Sequence, residues 1–344
     1  MPDSAEMIHV LITIRFEDEL LELFRNVSDR VEIMYYPTDQ ARDVPDDVWA
    51  KTNVLYTFRT VPEPALAPQL RWIHAHAAGI DHLLEQPIVQ SEGVLLTNSS
   101  GIHATTVAEY VFMMMLAFGH RLLAMLSHQA NADWPTEQKF RTFLPQQLQG
   151  STVGIVGYGN LGREIAHVAH TFGMEVLASK RDVRQPADPD SYTLPGVGDP
   201  EGVYFHRLYP PEALISMVRA CDFVVLTVPL TESTRGMVDA DVFGAMKPTA
   251  YLINVSRGGV VDEEALLQAL QTGQIAGAAM DVFETEPLPA DNPLWKLPSL
   301  IISPHVAGNS ADYNEKSAQL FVENLKRYLA RKDLLNLVDR TRGY

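Results

Sequence analysis

The sequence predicts an α/β protein built from two doubly wound parallel-sheet domains, one inserted into the other. Three observations carry that expectation. Short apolar runs alternate with helix-length segments along most of the chain, a glycine-rich turn falls in mid-chain directly after one such run, and 344 residues exceed the usual reach of a single hydrophobic core.

The runs with strand character lie at 9–14, 54–56, 71–74, 94–97, 152–156, 175–178, 223–227, 250–255, 277–282 and 300–303. Helix-length segments such as 161–172, 212–220 and 263–272 separate many of them. Two longer helical stretches, 104–126 and 310–331, interrupt the rhythm and read as hinges. They divide the chain into a first domain, residues 1–105 with 308–344, and an inserted one, residues 106–307. Segment 184–211 is crowded with Pro and Gly and reads as a long surface excursion rather than an element.

Hydrophobic residues make up 46% of the chain and charged residues 20%, the profile of a globular protein. A formal net charge of −16 repels phosphate backbones and anionic lipid, so neither nucleic acid nor a membrane is expected as a partner. The longest apolar run, around 111–118, is too short to cross a bilayer. The single cysteine, Cys221, excludes an intrachain disulfide and fits a reducing compartment, and the opening Met-Pro-Asp-Ser-Ala-Glu has no cationic leader before a long apolar core. A cytoplasmic protein without a metal site is the expectation.

Residues 152–165 contain Gly157-x-Gly159-x-x-Gly162 between a β-rich run and a helical pattern. Glycines are needed there if the turn is tight, the backbone must approach a pyrophosphate, and the helix must pack close to the strand. The helix N-terminus then offers free N–H groups and a positive dipole end to the phosphates. A dinucleotide is therefore expected on this turn. In such folds the end of the second strand faces the adenosine ribose, and an acid there marks NAD. Here Ser179, Lys180 and Arg181 hold that place, a cationic ending suited to a 2′-phosphate and hence to NADP(H). Asp182 leaves the alternative of NAD(H) open, because the spacing of the ribose acid is loose.

Ligands of open α/β sheets bind at the carboxyl ends of the strands. Successive runs lead there to Val228-Pro229-Leu230-Thr231, Ser256-Arg257-Gly258-Gly259, Asp281 with Glu284-Thr285-Glu286-Pro287, and Pro304-His305. An arginine, an acid and a histidine beside a nicotinamide can reduce a 2-oxo acid. Arg257 would hold the substrate carboxylate and polarise the ketone; His305 would give the carbonyl oxygen its proton; Glu286 would orient the imidazole.

These stretches, with Ala77-Ala78-Gly79-Ile80-Asp81, Val107-Ala108-Glu109, Asn254-Val255 and Ser303-Pro304-His305-Val306-Ala307-Gly308, make the chain resemble the D-isomer-specific 2-hydroxyacid dehydrogenases over nearly its whole length, and most closely their glyoxylate/hydroxypyruvate reductase branch. The resemblance implies a Rossmann cofactor domain inserted into a smaller, flavodoxin-like substrate domain. It implies that Arg257, Glu286 and His305 are catalytic, and that the Ala78 and Gly79 amides receive the substrate carboxylate along with Arg257 and His305. Thr106, Asn160, Leu161, Val228, Pro229, Thr234, Val255, His305 and Gly308 join the glycine turn as cofactor contacts, and Asp281 stands near the nicotinamide carboxamide. It also implies a homodimer paired through the cofactor domains, with the helix after about residue 104 at the interface.

Two departures matter. The excursion 184–211 is longer than the family usually has there, and the chain ends at Tyr344 without the regulatory extension of some phosphoglycerate dehydrogenases. An NADPH-preferring reductase of glyoxylate or hydroxypyruvate is the leading expectation. An NAD-dependent, phosphoglycerate-like D-2-hydroxyacid dehydrogenase and a non-catalytic dinucleotide sensor are the alternatives. Substrate choice is expected to lie in the loops 57–61 and 134–141, with Arg59 a candidate for a charged substrate tail or an ordinary exposed arginine.

Overall fold

The computed structural model describes residues 7–136, 139–188, 191–340 and 342. It divides into two units, Met1–Ile102 with Asp190–Tyr192 and Ser310–Tyr344, and His103–Pro189 with Thr193–Asn309.

The first unit carries β1 (Ile8–Ile12), β2 (Val31–Tyr35), β3 (Val54–Thr57), β4 (Trp72–Ala75) and β5 (Leu95–Asn98) in one parallel sheet of order β2-β1-β3-β4-β5. Side chains of β3 and β4 are buried along their whole length, which is why those runs read as continuously apolar. β2 (Val-Glu-Ile-Met-Tyr) is an edge strand with one exposed and three half-exposed residues, and its weaker pattern escapes the sequence reading. The order reverses between β1 and β3, the flavodoxin-like arrangement. Helix Tyr313–Leu329 lies against this sheet, with Phe321 stacked on Tyr56 at 4.5 Å and on Trp72 at 5.3 Å.

The second unit carries β6 (Thr152–Val156), β7 (Glu175–Ser179), β8 (Arg207–Tyr209), β9 (Phe223–Leu226), β10 (Tyr251–Asn254), β11 (Gly277–Met280) and β12 (Leu300–Ile302), parallel throughout, in the order β12-β11-β10-β9-β6-β7-β8. The switch point lies between β6 and β9, so the turn after β6 opens where a dinucleotide fold binds its ligand. β8 corrects the reading of 184–211 as wholly irregular: three residues of the excursion pair with β7 at the sheet edge.

The helix expected over 104–126 is two helices, Ala104–Gly119 and Leu122–Ala130, bent by 65°. The Gln146 N–H takes the Gly119 carbonyl at 2.9 Å, and a Cβ on Gly119 would stand 2.6 Å from the Gln146 oxygen. The irregular segment around Gln146 thus meets the end of the first helix, and Arg121 turns the chain in the left-handed region (φ 59°). Among the described residues no single helix is long and apolar enough to cross a membrane.

A hydrogen-bonded chain runs through the first unit. Trp72 Nε1 donates to Thr97 Oγ1 (2.8 Å), which also meets His74 Nδ1 (2.8 Å); Ser99 Oγ meets Ser317 Oγ (2.9 Å), and Ser317 Oγ meets Tyr56 Oη (2.6 Å) and His76 Nδ1 (3.2 Å). Burial pushes the His74 imidazole down from 6.5 to about 3 and His76 to about 4. The unfolded chain therefore binds protons at these sites below pH 6.5 that the folded chain refuses until about pH 4. Stability is full above pH 6.5 and falls as pH drops, at roughly 1.4 kcal/mol per pH unit for each histidine. Between pH 7 and pH 5 the loss should reach about 2 kcal/mol per histidine, visible as a falling urea midpoint, and His74→Gln should remove about half of it. A midpoint flat over that range would contradict this account.

Candidate active site

The three glycines of the turn have three different reasons. Gly157 stands at φ 107°, and a Cβ there would press on Val228 Cγ1 at 2.9 Å. A Cβ on Gly162 would lie 2.1 Å from the Gly157 oxygen, so the helix Asn160–Thr171 packs directly on the turn. A Cβ on Gly159 would meet nothing within 4 Å. That open space, beside a helix N-terminus with no side-chain cap, fits a pyrophosphate. Thr227 Oγ1 secures the turn by donating to the Gly157 carbonyl at 2.7 Å, and the Ser179 carbonyl accepts from the Gly157 N–H at 3.1 Å.

Around this turn, Leu161 is half-buried against the core and Val255 is buried. Val228 and Pro229 are half-buried in a loop closed by Thr234, whose Oγ1 donates to the Pro229 carbonyl at 2.7 Å and accepts from the Thr231 N–H at 2.8 Å. Thr106 is half-buried on the helix Ala104–Gly119, and a Cβ on Gly308 would come within 3.3 Å of His103. At the end of β7, Ser179 is buried, Lys180 is half-buried and Arg181 is exposed. Burial lowers the Lys180 ammonium below its ordinary value, helped by the Arg163 charge. Asp182 is turned onto its own loop, accepting from the Arg184 N–H at 2.9 Å.

The parallel order brings the ends of β10, β11 and β12 side by side, about 4.8 Å between neighbours. Arg257 follows β10; Asn254 shapes its turn, with Oδ1 accepting from the Ser256 amide and hydroxyl and Nδ2 donating to the Arg257 carbonyl. Asp281 follows β11, Glu286 lies five residues on, and His305 follows β12. Glu286 Oε2 meets His305 Nδ1 at 2.8 Å, while Oε1 accepts from the Phe283 N–H at 2.9 Å. His305 occupies the left-handed region (φ 55°), a strained conformation for a residue with a side chain.

That strain is held by Asp281. Its carbonyl accepts from the His305 N–H at 2.8 Å; its carboxylate, 2% exposed, accepts from Ser303 Oγ (2.6 Å) and the Val306 and Ala307 amides (2.9 Å each). Tyr110 Oη meets Ser303 Oγ at 2.6 Å, and burial raises its phenol to about 12. The Asp281 carboxylate thus fastens the histidine loop. Tyr110 and Asn254 were not singled out as functional by sequence. Asn254 stood in the quoted Asn-Val-Ser-Arg-Gly-Gly stretch, whereas nothing local marks Tyr110.

Ala78 and Gly79 belong to the first unit, on the loop after β4. Asn98 Nδ2 donates to the Ala78 carbonyl at 3.0 Å, the Tyr313 hydroxyl donates to the His76 carbonyl at 3.0 Å, and Tyr313 also accepts a hydrogen bond from the Ala78 backbone. Arg59 lies over the Phe58 ring and 3.8 Å from Asp39. In the expected specificity loop 134–141, residues 137 and 138 lie outside the described residues.

Relatives agree with this architecture. The NAD binding domain of the D-isomer specific 2-hydroxyacid dehydrogenases matches residues 112–307. A glyoxylate reductase of Korarchaeum cryptofilum is 34% identical over 274 residues, 80% of this chain and 77% of its own. The crystal structure of a D-isomer specific 2-hydroxyacid dehydrogenase from Xanthobacter autotrophicus in complex with NADPH is similar, with a TM-score of 0.80, 26% identity, and 99% of this chain and 100% of that one covered. So is an NADPH-dependent glyoxylate/hydroxypyruvate reductase of Sinorhizobium meliloti in complex with NADP, with a TM-score of 0.78, 25% identity, and 98% and 100% covered. With a nucleotide turn at the switch point and a histidine–glutamate pair on the neighbouring strand ends, the chain belongs to the D-isomer specific 2-hydroxyacid dehydrogenase family.

Proposed function

We propose that the protein reduces small 2-oxo acids such as glyoxylate or hydroxypyruvate to D-2-hydroxy acids, with NADPH preferred over NADH. The observation that carries the reaction is the 2.8 Å pairing of His305, after β12, with Glu286, after β11, the strand next to the one that Arg257 follows. When bound, a reduced nicotinamide supplies the hydride. The glycine turn with Asn160, Leu161, Val228, Pro229 and Thr234, together with Thr106, Val255 and Gly308, would hold the dinucleotide. Arg257 fixes the substrate carboxylate by paired hydrogen bonds. His305 protonates the ketone oxygen through Nε2, since Nδ1 faces Glu286. Asp281 acts on this chemistry by fixing the His305 backbone.

NADPH preference is supported by the absence of an acid at the end of β7 and by Lys180 and Arg181 standing there. Asp182 already accepts a bond from its own loop, which weakens it as a ribose partner. The NADPH and NADP complexes of the two similar structures point the same way. A homodimer is supported by apolar side chains left exposed along the bent helix pair, Met113, Leu116, Leu122, Met125 and Leu126. A reducing, cytoplasmic setting accords with one cysteine, Cys221, buried and with its thiol raised to about 12 by burial.

Oxidation of NADPH across a panel of 2-oxo acids tests the reaction, and a protein that turned over none of them would be a sensor instead. His305→Ala should lower kcat by about 10²–10⁴-fold with NADPH binding nearly intact; an unchanged kcat would refute the assignment. Replacing Lys180 and Arg181 together by neutral residues should raise KM for NADPH far more than for NADH, and equal changes would overturn the cofactor preference. Leu116→Asp with Met125→Asp should halve the mass measured by light scattering; an unaltered mass would place the pairing surface elsewhere.

A further inference from the structure

The excursion that follows β7 is a docked element. Its two limbs close on each other: the Asp188 N–H donates to the Pro200 carbonyl at 3.0 Å, and Gly202 (φ 70°) lies so close to Pro186 that a Cβ would stand 2.7 Å from the proline carbonyl. The pair sits on one face of the helix Asn160–Thr171. Glu164 accepts from the Gly198 N–H at 2.5 Å, and Tyr204 stacks on His167 at 5.0 Å and lies 5.1 Å from His170.

Arg163 is the peg of this joint. It is 1% exposed, its guanidinium lies over the Tyr158 ring at 4.8 Å, and it donates to the carbonyls of both limbs, Pro186 at 2.5 Å and Asp199. The Asp199 carboxylate accepts from the Tyr158 hydroxyl (2.6 Å) and the Val203 and Tyr204 amides (2.9 and 3.0 Å). The strap 185–187 turns successive carbonyls to opposite sides. Pro186 faces Arg163, while Gln185 and Ala187 accept from the Lys180 ammonium at 2.6 and 3.4 Å.

We propose that Arg163 is a positioning residue for cofactor choice: by gripping the strap through Pro186 it makes the neighbouring carbonyls hold the Lys180 ammonium in place at the end of β7. This rests on the reading of Lys180 as the partner of a 2′-phosphate. A lysine is a point charge on a flexible stem, and ordering it on binding costs affinity. Two neutral carbonyls order it beforehand without cancelling its charge, and its third N–H is left for a phosphate oxygen. The benefit falls on NADPH alone, because NADH offers Lys180 no anion.

Calorimetric dissociation constants of NADPH and NADH test this without turnover. Arg163→Lys keeps the charge but not the two-pronged grip, and should lower the NADPH-over-NADH affinity ratio about tenfold. In a Lys180→Met background the same substitution should change the ratio no further. Gly202→Ala, which displaces Pro186 without touching either cation, should lower the ratio in the same direction, and it serves if Arg163→Lys fails to fold. If Lys180→Met leaves the ratio unchanged, the cofactor reading fails and this inference with it. If Lys180→Met lowers the ratio but Arg163→Lys and Gly202→Ala do not, or if Arg163→Lys acts equally in both backgrounds, the role of Arg163 alone is overturned.

Discussion

The candidate site depends on one buried carboxylate. Asp281 is removed from water and remains acceptable there only because a hydroxyl and two amides supply it with donors. All of those donors come from the segment 303–307, so the cost of burying the charge is offset only when that segment adopts one conformation. In that conformation His305 is left-handed and its Nδ1 reaches Glu286. An electrostatic requirement at the end of β11 is thus converted into the position of an imidazole at the end of β12. Tyr110 extends the same constraint to the helix Ala104–Gly119 through Ser303.

Glycine sets the remaining spacings by the absence of a side chain. A Cβ on Gly258 would lie 1.8 Å from the Phe283 carbonyl carbon, so the loop after β10 and the loop after β11 meet backbone to backbone. Arg257 immediately precedes that contact, and the Phe283 amide is the one that Glu286 accepts from. Any larger residue at 258 would drive the arginine loop away from the glutamate loop. The glycine turn at 157–162 follows the same rule, with Gly162 on the turn and Gly159 facing open space. Both halves of the site are therefore fixed by close backbone approach, which tolerates little variation in distance.

Such constraints differ in how well a sequence displays them. Interior strands of a parallel sheet are apolar on both faces, so β3, β4, β6, β9, β10 and β11 stand out as apolar runs, and the last two place Arg257 and Asp281 just past strand ends. Edge strands carry that signature less reliably: β5 and β12 are read, whereas β2 and β8, with exposed or half-exposed side chains, go unread. The break at Gly119 depends on Gln146, twenty-seven positions later, and no local pattern encodes a partner at that distance. Buried polar partnerships are invisible for the same reason: Arg163 looks like an ordinary helix-surface cation, and Tyr110 like one more apolar residue in a helix of Ala, Met and Phe. Proline and glycine in 184–211 signal irregular backbone, yet irregular backbone can still be tightly packed, as Gly202 against Pro186 demonstrates.

The stretch from Ser179, the last residue of β7, to Arg184 shows how a charged run divides its labour. Ser179 gives its carbonyl to the Gly157 amide and so belongs to the glycine turn. Asp182 spends one oxygen on the Arg184 amide, which closes the loop and keeps the carboxylate beside its own backbone. Lys180 is drawn back against the 185–187 strap, where burial and the Arg163 charge both disfavour its protonated form and carbonyl oxygens support it. A solvated loop would leave four charges equivalent and mobile, each paying its full ordering entropy on binding an anion. Here one cation is ordered by backbone carbonyls and the acid is occupied, and the proposed preference for NADPH rests on that asymmetry.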